Sequence, residues 1–230
     1  MTKRVISVAA IATVMTVLSA SLLFDVYAQP GAAGSFTDTR DGKKYRTVKI
    51  GNLTWMAENL NYKTGTSVCY DNKGRNCQKY GRLYNWDDAM TACPAPWRVP
   101  SDKDWDSLAL AAGGQRVEHK DGNYTWKFAG KKLKSTTGWY DCDCEDDNHI
   151  PISGNGTDDF GFSALPGGIG VGGSFYNAGD NGYWWSATEY GTNSAWGRGI
   201  YYFYDHVLRN FEIKTKLYSV RCVRDFAAPQ

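Results

Sequence analysis

The sequence has 230 residues, enough for one domain with a sizeable core beside an export segment. Its 26 Lys and Arg residues nearly balance 24 Asp and Glu residues, which leaves a formal net charge of +2. So small a charge excludes a whole-protein attraction for nucleic acid or anionic lipid. The 9 Trp, 15 Tyr and 25 Gly residues are typical of short strands joined by long ordered loops.

Residues 1–28 have the order of parts of a secretory signal. Two basic residues precede an apolar run over residues 5–24, and Val26-Tyr-Ala28 follows as a small-residue cleavage site. The apolar run is also long enough to span a bilayer, so contact with a membrane is expected only if the segment stays uncleaved. We favour cleavage and predict a secreted or cell-surface protein. Residues 29–37 are predicted to be a flexible lead-in.

One hairpin and two helices are predicted in the next part of the chain. Tyr45–Ile50 alternates polar residues with β-formers, and Thr54–Ala57 is a short apolar run after a Gly-Asn turn. Asp87–Ala92 is predicted as a short helix with acidic residues in its first turn. A second helix begins after Ser101, whose side chain caps it together with Asp104 three residues later.

The stretch from residue 115 to residue 181 is rich in Gly, Asp, Ser and Asn and is predicted to be a long irregular region. Three β-like runs follow it: Tyr183–Thr188, Ala195–Tyr204 and Leu217–Arg224. We interpret these runs as a three-stranded antiparallel meander at the C-terminal end. The whole pattern predicts an α+β domain. By analogy, its layout resembles that of C-type lectin-like folds.

Six cysteines, an even number in an exported chain, predict a disulfide framework. One pair brackets a polar, turn-forming insert, and a second would join the first helix to the last strand. The third pair is separated by a single residue, so its bridge lies near the upper limit of Cα spacing. The predicted pairs are Cys69 with Cys77, Cys93 with Cys222, and Cys142 with Cys144.

Several motifs resemble those of one known family in the same order. They are Asp41–Tyr62, Tyr80–Tyr84, Trp97–Ser101, Phe160–Gly168, Trp184–Thr188 and Ser219–Arg224. These motifs are similar to the FISUMP domain, the major paralogous domain of fibre-degrading Fibrobacter, and cover residues 38–226, which leaves residues 227–230 as a tail. The resemblance implies an exported domain with no assigned catalytic chemistry. Two of the motifs also resemble the formylglycine-generating enzyme superfamily, which shares a C-type lectin-like core.

Enzymatic alternatives lack their required residues. A formylglycine-type oxidase needs a reactive cysteine pair in the final third of the chain, where only Cys222 lies beyond Cys144. The histidines have no partner motif for acid–base chemistry, and no carboxylate pair is marked out by spacing for glycoside cleavage. We therefore predict a protein that is not an enzyme, with a degenerate member of the formylglycine-generating superfamily as an alternative.

An acidic run beside the third cysteine pair suggests a metal site as an alternative to a solvated loop. Its carboxylates would be hard oxygen ligands for Ca²⁺, although no EF-hand spacing is present. A zinc site of Cys142, Cys144 and His149 is the other metal interpretation. We expect no cofactor, with calcium as the alternative. The candidate calcium ligands are Asp141, Asp143, Glu145 and Asp146.

Exposed aromatic side chains provide the favoured functional hypothesis. Trp and Tyr rings offer a flat apolar face with a polar edge, which suits stacking on sugars. We predict that the protein binds polysaccharide or another cell-surface component, and a structural or assembly protein of the cell envelope is the alternative. Trp55, Trp86, Trp97, Trp105 and one of Trp184 and Trp185 are instead predicted in the core. The candidate ligand-binding residues are Trp139, Tyr140, Tyr176, Tyr190, Tyr202 and Tyr204.

Overall fold

The computed structural model describes residues 33–142 and 152–225 of the chain. The predicted signal segment at residues 1–28 and the tail at residues 227–230 lie outside the described residues. Within the described part, no helix is both long enough and apolar enough to cross a membrane. These residues form an α+β fold in which strands outnumber short helices.

The elements follow one another along the chain as short segments. The helices are α1 (Gly74–Tyr80), α2 (Trp86–Ala92), α3 (Asp102–Ala111) and α4 (Gly130–Leu133). The strands are β1 (Ala33–Thr37), β2 (Lys44–Ile50), β3 (Leu53–Met56), β4 (Leu83–Tyr84), β5 (Gln115–Glu118), β6 (Tyr124–Lys127), β7 (Gly167–Val171), β8 (Ser174–Ala178), β9 (Asn181–Glu189), β10 (Ser194–Tyr201), β11 (Val207–Ile213), β12 (Tyr218–Ser219) and β13 (Val223–Asp225).

The smaller sheet has the order β1-β2-β3-β13 and contains the predicted hairpin, since β2 pairs antiparallel with β3. The predicted flexible lead-in covers residues 29–37, of which residues 33–37 instead form β1 and pair along β2, while residues 29–32 lie outside the described residues. The ring of Phe36 explains the difference. It stacks 4.4 Å from the ring of Trp97 and 5.5 Å from that of Tyr45, a long-range contact that a small, polar segment does not reveal.

The larger sheet has the order β4-β12-β9-β10-β11-β6-β5, and β7 joins β9 at its side. A meander is present, but its third strand is β11 rather than the predicted Leu217–Arg224. That segment divides between the sheets: β12 lies parallel to β9, and β13 pairs with β3. The strand β11 was missed because it carries Arg209, whose guanidinium pairs with Asp102 of α3 inside the fold.

The long region between residues 115 and 181 holds more regular structure than predicted. It contains the hairpin β5–β6, the helix α4 and the hairpin β7–β8. The strand β7 reads Gly-Gly-Ile-Gly-Val, so it lacks the alternation by which strands are recognised. Among the described residues, the irregular part of this region is residues 134–142 and 152–166.

The predicted helices α2 and α3 are confirmed. Asn85 caps α2 by accepting a hydrogen bond from the backbone of Asp88, and Ser101 forms a capping box with Asp104 at the start of α3. The helix α1 was missed, because a short glycine-led segment has low helical propensity. It is held by the disulfide between Cys69 and Cys77.

The core consists of two clusters on opposite faces of β9. Neighbouring residues of a strand point to opposite faces, so Trp184 packs in the cluster with Trp105, while Trp185 packs in the cluster with Tyr218. Both tryptophans are fully buried, whereas only one was predicted in the core. The second face is covered because Tyr218 stacks 4.5 Å from the ring of Trp185.

Arg221 lies between the two sheets with its side chain fully buried. Its Nε and Nη2 groups donate to Asn59 Oδ1 at 3.2 and 2.9 Å, and its other donors reach the carbonyls of Phe162 and Ser163. Asn59 Oδ1 also accepts from Trp184 Nε1 at 2.8 Å. These bonds connect the small sheet, the large sheet and the loop before β7.

Two of the predicted disulfides are confirmed. Cys69 is bonded to Cys77, and Cys93 at the end of α2 is bonded to Cys222 just before β13. The second bridge joins segments 129 residues apart, with a Cα–Cα distance of 5.9 Å. Cys144 lies outside the described residues, so its pairing with Cys142 stays a prediction.

We predict that the long-range bridge stabilises the fold more than the local bridge. In the chain-entropy model, closing a loop of 129 residues contributes about 5 kcal/mol, against about 2.5 kcal/mol for one of 8 residues. Urea unfolding of the variants Cys93→Ala/Cys222→Ala and Cys69→Ala/Cys77→Ala measures how much free energy of unfolding is lost with each bridge. An equal or smaller loss for the long-range pair would contradict this order.

Candidate functional site

An open cleft of about 300 Å³ lies between the loop before β7 and the turn that joins β10 to β11. Its volume is at the lower end of the range for small-molecule sites. We call it the aromatic cleft. It is lined by Lys131, Lys134, Ile152, Ser153, Asn155, Tyr202, Phe203, Tyr204 and Asp205.

Contiguous rings form one wall of the aromatic cleft. The ring of Phe203 lies 4.9 Å from that of Tyr202 and 4.2 Å from that of Tyr204, and Tyr204 stacks on the imidazole of His206 at 5.3 Å. Phe203 and Tyr204 remain exposed. The strand β10 ends at Tyr201, so these aromatic residues belong to a turn rather than to the alternating faces of a strand. The turn gathers their rings at one edge of the sheet.

A buried lysine holds this turn from beneath. The Nζ group of Lys134 donates to the backbone carbonyls of Tyr201, Tyr202 and Tyr204 at 3.4, 3.0 and 3.3 Å. Burial, together with the nearby charge of Lys131, lowers the pKa of Lys134 to about 8. The ammonium group therefore fixes three carbonyls of this one turn, and among the described residues it forms no ion pair.

Two glycines fix the position of Tyr140, which lies near the cleft but is not part of its lining. A Cβ atom at Gly154 would lie 1.9 Å from the Tyr140 carbonyl oxygen and 3.0 Å from the Cβ of Tyr202. A Cβ atom at Gly179 would lie 2.6 Å from the Tyr140 ring. Only glycine allows these approaches. Tyr140, with 60% of its surface exposed, is therefore brought beside Tyr202.

The prediction of Trp139 as a ligand-binding residue is wrong, because its side chain is only 4% exposed and packs in the core. Its indole Nε1 donates to Ser135 Oγ at 3.1 Å and to the Ala164 carbonyl at 3.0 Å. Its backbone N–H donates to Asn155 Oδ1 at 3.1 Å. Trp139 thus supports a residue of the cleft instead of contacting a ligand.

Two further candidates lie away from the cleft. Tyr190 follows β9, at the opposite end of β10, where its ring stacks 4.1 Å from that of Phe211 and lies 4.8 Å from that of Trp196. Tyr176 lies on β8 and is half exposed. The structure therefore brings Tyr202 and Tyr204 together in the cleft and places the Tyr140 backbone beside Tyr202, whereas Tyr176 and Tyr190 are not part of the lining.

The polar residues of the cleft were not predicted from the sequence. Ser153 Oγ donates to Asp141 Oδ1 at 2.9 Å, and the carboxylate of Asp205 lies 3.2 Å from His206 Nε2. These groups are short, polar and scattered over two loops, so no spacing marks them. Together with Asn155 they offer hydroxyl, amide and carboxylate groups beside the aromatic wall.

The candidate calcium site falls mostly outside the described residues. Asp141 is described and accepts the hydrogen bond from Ser153. Among the described residues, no group of three or more His, Cys, Asp or Glu side chains is placed to hold a metal ion. The other candidate ligands, Asp143, Glu145 and Asp146, lie outside the described residues.

We predict that Lys134→Met weakens the pH dependence of stability between pH 8 and 10. The unfolded chain keeps the lysine proton up to a pKa of about 10.4, whereas folded Lys134 loses it near pH 8. The free energy of unfolding therefore rises with pH in this window, by up to about 1.4 kcal/mol per pH unit, and this contribution levels off below pH 8, where both states hold the proton. Urea unfolding from pH 7 to 10 measures the slope.

The exposed Lys120→Met provides the matched control, because it removes the same side chain from the surface. The slope is expected to persist in this control. Identical slopes in the wild-type protein and in Lys134→Met would show that Lys134 does not lose its proton on folding in this range.

One family model matches most of this chain. The model, described as the Fibrobacter succinogenes major domain, matches residues 48–224. None of the curated proteins and none of the solved structures compared with the chain matches it. The matched residues include both described disulfides and the aromatic cleft. The chain belongs to the Fibrobacter succinogenes major domain family.

Proposed function

We propose that this protein is an exported, non-catalytic recognition module that binds polysaccharide through the aromatic cleft. The observation that carries the proposal is the aromatic run Tyr202–Tyr204, which lines the cleft beside polar side chains and whose rings at 203 and 204 are exposed. Aromatic faces stack on the C–H faces of sugar rings, and hydroxyl, amide and carboxylate groups bond sugar hydroxyls. Both kinds of contact are available at one place.

The cleft is also organised before any ligand arrives. Lys134 fixes the carbonyls of the turn, and Gly154 and Gly179 fix the position of Tyr140. Ordering side chains and loops on binding costs free energy, so a site that is already ordered binds more tightly for the same contacts. This supports recognition of a ligand with a defined shape.

We further propose that the protein is secreted or displayed at the cell surface, with residues 1–28 as a cleaved signal. The two disulfides support this location, because such bonds persist in oxidising compartments. For the fold we propose a C-type lectin-like architecture. The bridge from the end of α2 to the segment before β13, and the long connection before β7, support that assignment.

A second candidate function is an assembly role in the cell envelope, favoured by the rings of Tyr190, Trp196 and Phe211. Tyr190 and Phe211 are 46% and 49% exposed and stack on each other. Contiguous exposed apolar surface is typical of protein contacts. Co-purification with envelope partners, without affinity for polysaccharide, would favour this function.

We predict that Tyr204→Ala weakens polysaccharide binding by about tenfold, since loss of one stacked ring costs about 1 to 1.5 kcal/mol. Affinity electrophoresis in gels that contain soluble xylan, mannan or β-glucan measures the binding. Tyr190→Ala is the matched control, because Tyr190 and Tyr204 are both 46% exposed.

The control variant is expected to bind like the wild-type protein. If both substitutions weakened polysaccharide binding equally, binding could not be assigned to the cleft. Weakening by Tyr190→Ala alone would place the ligand at the other end of β10, and the proposal for the cleft would then be wrong.

A further inference from the structure

A second cavity, of about 420 Å³, opens where the first hairpin, the end of α1 and the loop before β7 meet. It shares no lining residue with the aromatic cleft. Basic side chains from two elements line it: Lys43 and Arg46 of the hairpin segment, and Lys79 of α1. The Nζ groups of Lys43 and Lys79 lie 5.3 and 4.7 Å from the ring centres of Tyr45 and Tyr80.

The carboxylates of this cavity are already engaged. Glu58 accepts from the Arg46 backbone at 3.0 Å and from Arg46 Nε at 3.3 Å. Asp158 accepts from the backbone N–H and the hydroxyl of Ser163 at 2.6 and 2.5 Å. Among the described residues neither Lys43 nor Lys79 forms an ion pair with a lining carboxylate, although the charge of Glu58 acts on Lys43.

A buried positive charge lies directly behind the cavity wall. Arg221 is fully buried, and its hydrogen-bond acceptors, Asn59, Phe162 and Ser163, are all neutral. Asn59 and Ser163 themselves line the cavity. Among the described residues no carboxylate forms an ion pair with this guanidinium. Burial lowers the pKa of Arg221 to about 9, with Asp158 opposing the shift, so the group stays charged at neutral pH.

The lining carries three basic side chains against two carboxylates, so with Arg221 behind it the wall keeps a net positive charge, which favours an anion in the cavity. The lining also offers donors and acceptors for hydroxyl groups. Thr136, Thr137 and Gln78 line it, and their side chains have no hydrogen-bond partner among the described residues. The volume suits one small molecule rather than an extended chain.

We propose that this cavity binds a carboxylate-bearing sugar, with Lys43 and Lys79 holding the carboxylate and the neutral side chains holding the hydroxyls. The site is separate from the proposed polysaccharide cleft and does not rest on it. A free monosaccharide and the end of an acidic polysaccharide both present this chemistry.

Isothermal titration calorimetry of the secreted protein tests the proposal with glucuronate, galacturonate, glucose and inorganic phosphate. We expect binding of at least one uronate, weaker at high salt because the charges are partly exposed. Glucose should not bind here, since it lacks the charge. Comparing the affinities for tri-galacturonate and for galacturonate distinguishes a chain end from a free sugar as the ligand.

Lys79→Gln should weaken uronate binding about fivefold, the effect of removing one partly exposed charge pair. Lys120→Gln is the matched control and should bind normally, because Lys120 is exposed and is not part of the lining. Tyr204→Ala should also bind uronate normally. A failure of the uronate proposal can therefore be told apart from a failure of the polysaccharide proposal for the aromatic cleft. No uronate binding, equal binding of glucose or phosphate, or no effect of Lys79→Gln would each overturn the proposal.

Discussion

The guanidinium of Arg221 lies where the two sheets and the loop before β7 meet. Three of its bonds go to neutral oxygens of Asn59, Phe162 and Ser163, and Asn59 in turn is bonded to Trp184 of the large sheet. A buried cation that lost any of these acceptors would carry a large desolvation cost. The relative position of the sheets is therefore fixed by a polar contact at the centre of an aromatic core, and the disulfide at Cys222 follows one residue later.

Two buried cations have the same arrangement, and each stands behind one of the candidate sites. Lys134, in the lining of the aromatic cleft, is bound to the carbonyls of its turn. Arg221 is bound to an amide and carbonyls behind the second cavity, the one lined by Lys43 and Lys79. In both cases the charge orders backbone that comes from distant parts of the sequence. The rigidity of the cleft and the positive potential of the cavity follow from this arrangement.

Local patterns predicted the elements that depend on local chemistry. The alternation in β2 and the cap at Ser101 were sufficient for a hairpin and a helix, and cysteine spacing was sufficient for two bridges. The sequence could not predict that Trp139 is buried, because a loop tryptophan has no periodic neighbours. Nor could it predict the cleft, whose Ser153, Lys134 and Phe203 come from three segments and meet only after folding.

The central claim is that the rings of residues 202–204 form a preformed polysaccharide site at the end of β10. An NMR titration of backbone amides with cello- and xylo-oligosaccharides tests it most directly. The account predicts that the largest shifts occur at Ser153, Asn155 and Phe203, with little change along β11 near Phe211. Shifts confined to the surface around Phe211 and Tyr190, or spread over the whole domain, would contradict it.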